Sequence, residues 1–276
     1  MIVLFIKTKV LVSEGIAFLS DIYKNRRIIL ELTRREFKIT YGTNYLGLAW
    51  SVVEPMTMML ILLLVFTYLR PHTSNEYPFA IYLLTGVIAY DFFNKSFTQA
   101  TRSIKFHSFL LKQGNFRMAI LPMINIFSTL QTHLIILALS IPIFIFSGIY
   151  PTLYWLQLVY FIFAASVLLV GISWITSSMI LFIWDIQYII NILMRTAFFL
   201  TPIFWDMSMF PPKIALLLKL NPLFHIIEGY RMCILYHRPF WSDMYSFVSF
   251  WIITIVILIT GVIVFKRLRP HFADVV

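Results

Sequence analysis

The sequence predicts an all-α, polytopic membrane protein, and three observations lead there. Hydrophobic residues make up 60% of the chain and mean hydropathy is +0.86, against about 45–50% apolar for ordinary globular chains. The apolar residues fall in runs long enough to cross a hydrocarbon core of about 30 Å, which takes about 20 helical residues. The basic residues, which give a net charge of +10, gather beside those runs. Topology and anionic headgroups therefore explain them better than nucleic acid does. The whole of 1–276 reads as one transmembrane domain with no soluble domain attached.

The N-terminal region, 13–40, predicts an amphipathic interface helix. Ser13-Glu14 can cap a helix through Tyr23. In KNRRIILELTRREFKIT (24–40), Ile28, Ile29 and Leu32 alternate with Arg26, Arg27, Arg34, Arg35 and Lys38. A basic helix of this kind lies along a membrane surface. It serves as a foot on acidic lipid, as a seat for a partner, or as both. No cleavable signal is expected, because Ile2–Ile6 is too short for a signal core.

Six spans follow, at about 46–69, 79–99, 119–146, 153–183, 188–205 and 244–265. The first carries Glu54-Pro55, and an ionisable group inside a span marks function by default. The second carries Asp91 and Lys95, spaced to neutralise each other at i, i+4. After it, Lys105, Phe109 and Lys112 belong to a loop that reads as a short amphipathic helix. The fifth holds Arg195. His133, mid-span in the third, reads as a hydrogen-bonded packing residue.

Between the fifth and sixth spans, residues 203–243 are not an ordinary loop. Two short apolar pieces, Ile214–Leu220 and Leu223–Leu235, are set apart by Pro211-Pro212 and Asn221-Pro222. Neither piece is long enough to cross. A broken helix pair survives at membrane depth only when it packs on protein or lines a cavity, so 206–243 predicts a re-entrant gate hairpin. The alternative is a surface loop with two interfacial helices. Basic residues precede the first span and follow the second and sixth, which puts both termini in the cytoplasm and the hairpin outside. Its Lys213, Lys219, Arg231 and Arg238 would form a positive mouth suited to an anionic passenger, or anchor to outer headgroups.

Catalytic signals are missing. There is no G-x-x-x-x-G-K-[ST], no H-E-x-x-H and no Cys/His metal spacing, and Cys233 is the single cysteine. No cofactor or metal is expected in this chain. Aromatic residues reach 17%, and rings with a polar tip can slide past sugars.

On these residues the chain resembles the ABC-2 type permeases that export polysaccharides. The cues are the basic N-terminus, NYLGLAW (44–50) with Glu54-Pro55, TPIFW (201–205), and Asn221-Pro222-Leu223 followed by Glu228-Gly229-Tyr230-Arg231. Within the family it looks closest to the branch that translocates wall teichoic acid, through NYLG-x-AW, GIYP (148–151), YR-x-x-ILYH (230–237) and FAD (272–274). The family often carries Arg-Asp at the turn after the fourth span, where this chain has Trp184-Asp185. The resemblance implies a transport subunit, not an enzyme: a homodimer in the cytoplasmic membrane of a Gram-positive bacterium, paired with two copies of a separate ATPase that holds ATP and Mg. The cargo would be a lipid-linked anionic glycan, with a capsule or O-antigen polysaccharide as the alternative and a glycan-modifying enzyme or stand-alone channel as the remoter ones. It implies coupling to the ATPase through Arg26, Arg27, Arg34, Arg35, Lys105, Phe109 and Lys112. Glu54, Trp50, Phe198, Phe204, Trp205, Lys213, Glu228, Tyr230 and Arg231 become candidates for the path and gate.

Overall fold

The computed structural model describes residues 26–42, 47–69, 77–109 and 117–275. Residues 13–25, Asn44–Leu46 and Lys112 lie outside them. The described residues are mostly helical, and no strand occurs among them.

Helix α1 (Arg26–Gly42) turns Ile29 and Thr33 inward and leaves Arg26, Arg27, Arg34, Arg35 and Lys38 exposed. It packs on α4. A 3₁₀ turn at Gly47–Ala49 leads into α2 (Trp50–Leu69), which runs through Pro55 without a break. Helix α3 (Phe79–Phe106) is the centre of the molecule. Twenty of its 28 residues are buried, under α2, α4, α5, α6 and α8. It extends seven residues past the expected end at Gln99, because its polar second half is covered by protein and needs no exit to water.

Helix α4 (Leu121–Phe146) follows a 3₁₀ turn at Met118–Ile120. It ends where Gly148 takes a left-handed φ of +81° and the Ile149 amide bonds back to the Phe144 carbonyl at 2.9 Å, a Schellman stop that suits glycine. Helix α5 (Leu158–Met179) is entered through a 3₁₀ segment at Leu153–Gln157. Among the described residues its packing on α9 (Met244–Leu268) is the most extensive, because Gly171 and Gly261 let the backbones meet. A Cβ on Gly261 would stand 2.5 Å from the Gly171 carbonyl, a small-residue contact typical of helices in lipid.

Three stretches are long and apolar enough to cross a membrane: Met118–Phe146, Leu153–Met179 and Met244–His271. Val53–Leu69 and α6 (Ile186–Leu200) are apolar but shorter. The expected fifth span to Trp205 stops at Leu200 for a local reason. Thr201 precedes Pro202, and a residue before proline is pushed out of the helical region; its ψ is 155°.

The chain then passes through α7 (Pro212–Leu218) and α8 (Pro222–Ile234). Asn221 caps α8 by accepting from the Leu223 amide at 3.0 Å, with Pro222 at the first helical position. The two differ in burial. None of α7 is buried, whereas ten of the 13 residues of α8 are, packed on α3, α5 and α9. A second apolar cluster gathers Ile29, Ile104, Leu121, Trp174, Leu181, Phe265 and Phe272. It brings α1 and the C-terminal α10 (Phe272–Val275) to one end of the bundle, away from α7 and α8.

Candidate functional site

Two arrangements stand out: a buried latch that fixes the broken segment 201–205, and a polar cavity midway along the bundle.

The latch begins with a backbone problem. Thr201, Pro202 and Ile203, where α6 breaks, are buried in protein, so carbonyls freed there have no water to bond and another group must satisfy them. Arg231 on α8 does this, and it is fully buried at 0% exposure. Its Nη2 donates to the Ile203 carbonyl at 3.2 Å and, with Nε, to the Tyr82 carbonyl at 3.4 Å. Nη1 meets Glu228 at 3.2 Å, and the guanidinium lies 3.5 Å over the Tyr82 ring. The Tyr82 hydroxyl donates to the Trp205 carbonyl at 3.0 Å. Gly86 leaves the room, since a Cβ there would approach Nη2 to 2.9 Å. One residue earlier, Tyr230 is hydrogen-bonded to His133 at 2.7 Å, and His133 stacks on Phe92. Gly229 admits the Phe161 ring into the space a side chain would fill.

This changes the reading of the hairpin's four cations. Arg231 is sealed in protein, and Lys219 pairs with Asp243 at 2.7 Å. Arg238 lies 5.9 Å from the Tyr236 ring, and Lys213 is exposed on α7. A single chain therefore presents no four-cation mouth.

The cavity, of about 600 Å³, lies between α2, α3 and α6. Helix α3 supplies Tyr90, Asn94, Lys95, Thr98 and Gln99; α6 supplies Asn191, Met194, Arg195, Phe198 and Phe199; α2 supplies Glu54. Lys95 is held by Asp91 at 3.2 Å. Glu54 and Arg195 are exposed at the rim, and among the described residues neither has an ion-pair partner. The aromatic wall continues away from the cavity. Phe198 meets Tyr90 edge-on at 4.9 Å and Phe204 at 5.0 Å, and Phe204 lies 6.4 Å from Phe66. The Tyr90 hydroxyl donates to the Met194 carbonyl, tying α3 to α6.

Of the residues singled out in the sequence, Glu54, Lys95, Arg195 and Phe198 meet at this cavity, and Phe204 stands next to Phe198. Trp205 is half-buried and donates to the Phe199 carbonyl at 3.0 Å. Trp50 is exposed at the start of α2. Glu228, Tyr230 and Arg231 belong to the latch.

At the other end, Arg26, Arg27, Arg34 and Arg35 are exposed on α1, and Phe109 is exposed beyond α3. Glu36 of α1 meets His107 at 3.3 Å. That contact holds the imidazole pKa above its ordinary value, against the opposing effect of burial. Lys105 lies 3.5 Å over the Trp184 ring, at the turn that opens α6.

Sequence reasoning missed the cavity's amides and hydroxyls, and the signal was present. Asn94 with Thr98, and Lys95 with Gln99, recur at i, i+4 on α3, as Asn191 and Arg195 do on α6, so each helix carries a polar stripe. No group of three His, Cys, Asp or Glu among the described residues lies close enough to hold a metal ion.

Comparison with known proteins places this architecture. The profile of the ABC-2 type transporter family matches residues 28–235, a stretch that contains α1 from residue 28 onward, the cavity and the latch. The chain belongs to the ABC-2 type transporter family. This ABC-2 chain is 25% identical over 253 residues to the O-antigen export system permease protein RfbA of Klebsiella pneumoniae, covering 90% of this chain and 94% of that one. The permease of the same name from Myxococcus xanthus is 24% identical over 265 residues, covering 94% and 99%. The polysialic acid transport protein KpsM of Escherichia coli is 25% identical over 206 residues, covering 73% and 78%.

Proposed function

We propose that this chain is the membrane permease of a polysaccharide exporter of the O-antigen or capsule kind, driven by a separate ATPase. One observation supports the reading: a family member whose helices α2, α3 and α6 wall an open cleft lined by aromatic rings and amides, with polar groups placed where a membrane protein otherwise avoids them. The relatives named above are permeases or transport proteins for surface polysaccharides, which favours that cargo over the wall teichoic acid suggested by NYLG-x-AW, GIYP and YR-x-x-ILYH. Residues 1–276 contain no phosphate-cradling loop, and in this reading a separate ATPase supplies the energy.

In this reading the chain crosses the membrane six times, and the end bearing α1 faces the cytoplasm. Two copies pair, and two ATPase subunits sit against Arg26, Arg27, Arg34, Arg35, Lys105 and Phe109. Motion of α1 reaches α3 through Glu36 and His107, and reaches α6 through Lys105 and Trp184. Both helices wall the cavity. At the far end the latch holds α8 and the 201–205 segment as one unit over the exit.

The test is deletion of the chain, with surface and intracellular polysaccharide measured separately. The reading expects surface polymer to vanish while polymer collects inside. Unchanged surface polymer would overturn it.

A further inference from the structure

We propose that the segment after α9 is a strap, seated by the single ring of Phe272, which holds the turn between α5 and α6 where Lys105 can reach Trp184. Phe272 is thus a positioning residue for the passage of ATPase motion to α6. This rests on the export reading above and adds a further element, beside α1 and the end of α3, to its cytoplasmic side.

The first observation is a pattern of burial. After Leu268 a 3₁₀ turn, Arg269–His271, leads into α10. Lys266, Arg267, Arg269, Pro270, His271 and Val275 are exposed. Phe272 is 1% exposed, and among the described side chains of 269–275 it alone is buried. A cationic segment of this kind has one hydrophobic reason to lie on the bundle, and that reason is the ring.

The second is what the ring meets. Its centroid lies 5.6 Å from that of Phe265 on α9, edge-on at 89°, and 6.4 Å from that of Phe182 in the turn after α5. The same apolar cluster takes in Leu181 from that turn, Ile104 from the end of α3 and Ile29 from α1. Phe272 therefore joins the cluster in which the elements of this end of the bundle are packed together.

The third is the turn itself. The Phe182 and Ile183 amides both donate to the Met179 carbonyl at 3.0 Å, and the Gln187 amide donates to the Trp184 carbonyl at 3.1 Å, so Phe182 and Trp184 share one short bonded stretch. Lys105 Nζ stands 3.5 Å over the Trp184 ring, a contact that depends on the cation staying over the ring face. Helix α6 begins two residues later, at Ile186, and its Asn191, Arg195 and Phe198 line the cleft. Without the Phe272 ring the turn loses its support on the side of α9.

Two experiments test the strap. In the detergent-purified full chain, spin labels on Arg269→Cys and Tyr188→Cys should give a broader distance distribution once Phe272→Ala is added, and Phe272→Met should restore it. An unchanged distribution overturns the strap, whatever the cargo. In the complex with its ATPase, Phe272→Ala should lower export per ATP hydrolysed by about fivefold, the worth of one cation–π contact. Phe182→Ala, which removes a half-exposed ring and leaves Phe272 in place, should do the same and stands in if the first variant does not reach the membrane. Adding Trp184→Leu to either should lower the ratio no further, because changes that act through one contact are not additive. Export and hydrolysis falling together, or a further fall on adding Trp184→Leu, overturns the positioning role. Surface polymer that does not depend on the chain overturns the export reading and leaves the spin-label result standing.

Discussion

Replacing Arg231 with methionine tests the latch in depth. The side chain is fully buried and bonds the Tyr82 carbonyl, the Ile203 carbonyl and Glu228 while covering the Tyr82 ring. Two routes give the cost. Hydrogen bonds between membrane helices average about 0.6 kcal/mol, so the three bonds to carbonyls amount to about 2 kcal/mol. A desolvated cation–π contact adds about 2 kcal/mol. Independently, removing one partner of a buried ion pair costs about 3–5 kcal/mol, because the other is stranded. Both routes put Arg231→Met near 4 kcal/mol, which lowers a thermal midpoint by on the order of 10 °C. Adding Glu228→Gln should recover part of the loss, since no carboxylate is then left alone. The assay is thermal unfolding of the detergent-purified protein, followed by size-exclusion chromatography, for the parent, both single variants and the double. A midpoint within about 2 °C of the parent for Arg231→Met would refute the latch.

The remaining expectations concern other contacts. Gly229→Ala drives a methyl into the Phe161 ring and should cost about 1–3 kcal/mol; Phe161→Leu in the same chain should restore part of the midpoint, and no rescue would contradict the packing. Because Glu36 raises the His107 pKa, the pair's hold on α1 is complete below the ordinary histidine value of about 6.5 and is lost as pH rises through the shifted value. Spin labels at Lys38 and Phe106 should therefore report a broader distance distribution at pH 8.5 than at pH 6, and His107→Gln should make the two alike. Trp184→Leu removes the cation–π partner of Lys105, worth about 1 kcal/mol. It should lower export more than ATP hydrolysis in the complex with its ATPase, and an equal fall in both would count against a linking role.

Much of the fold was legible because composition and breakers act locally. The apolar runs at 119–146 and 244–265, the stop at Gly148 and the cap at Asn221-Pro222 each follow from a few neighbouring residues. So does the ion pair of Asp91 with Lys95. The burial of α8 was less legible, since its mixed composition suits a membrane surface as well as a protein core; what decides it is Gly229 and Gly86 making room for Phe161 and Arg231. Those are tertiary facts. The role of Arg231 depends on carbonyls freed more than twenty residues earlier by Pro202, a debt that no window around Arg231 displays. The cavity was half legible. Glu54 stood out as a charge in a span, whereas Asn94, Thr98, Gln99 and Asn191 are single polar residues whose convergence appears only once α3 and α6 lie side by side.

The most direct measurement fills the cavity. Asn191→Trp places a large side chain among Asn94, Gln99 and Phe198, and the readout is surface polysaccharide in cells whose membranes carry the variant at the parent's level. The account predicts that surface polymer is lost and polymer accumulates inside the cell. Parent-level surface polymer with the cavity filled would contradict it.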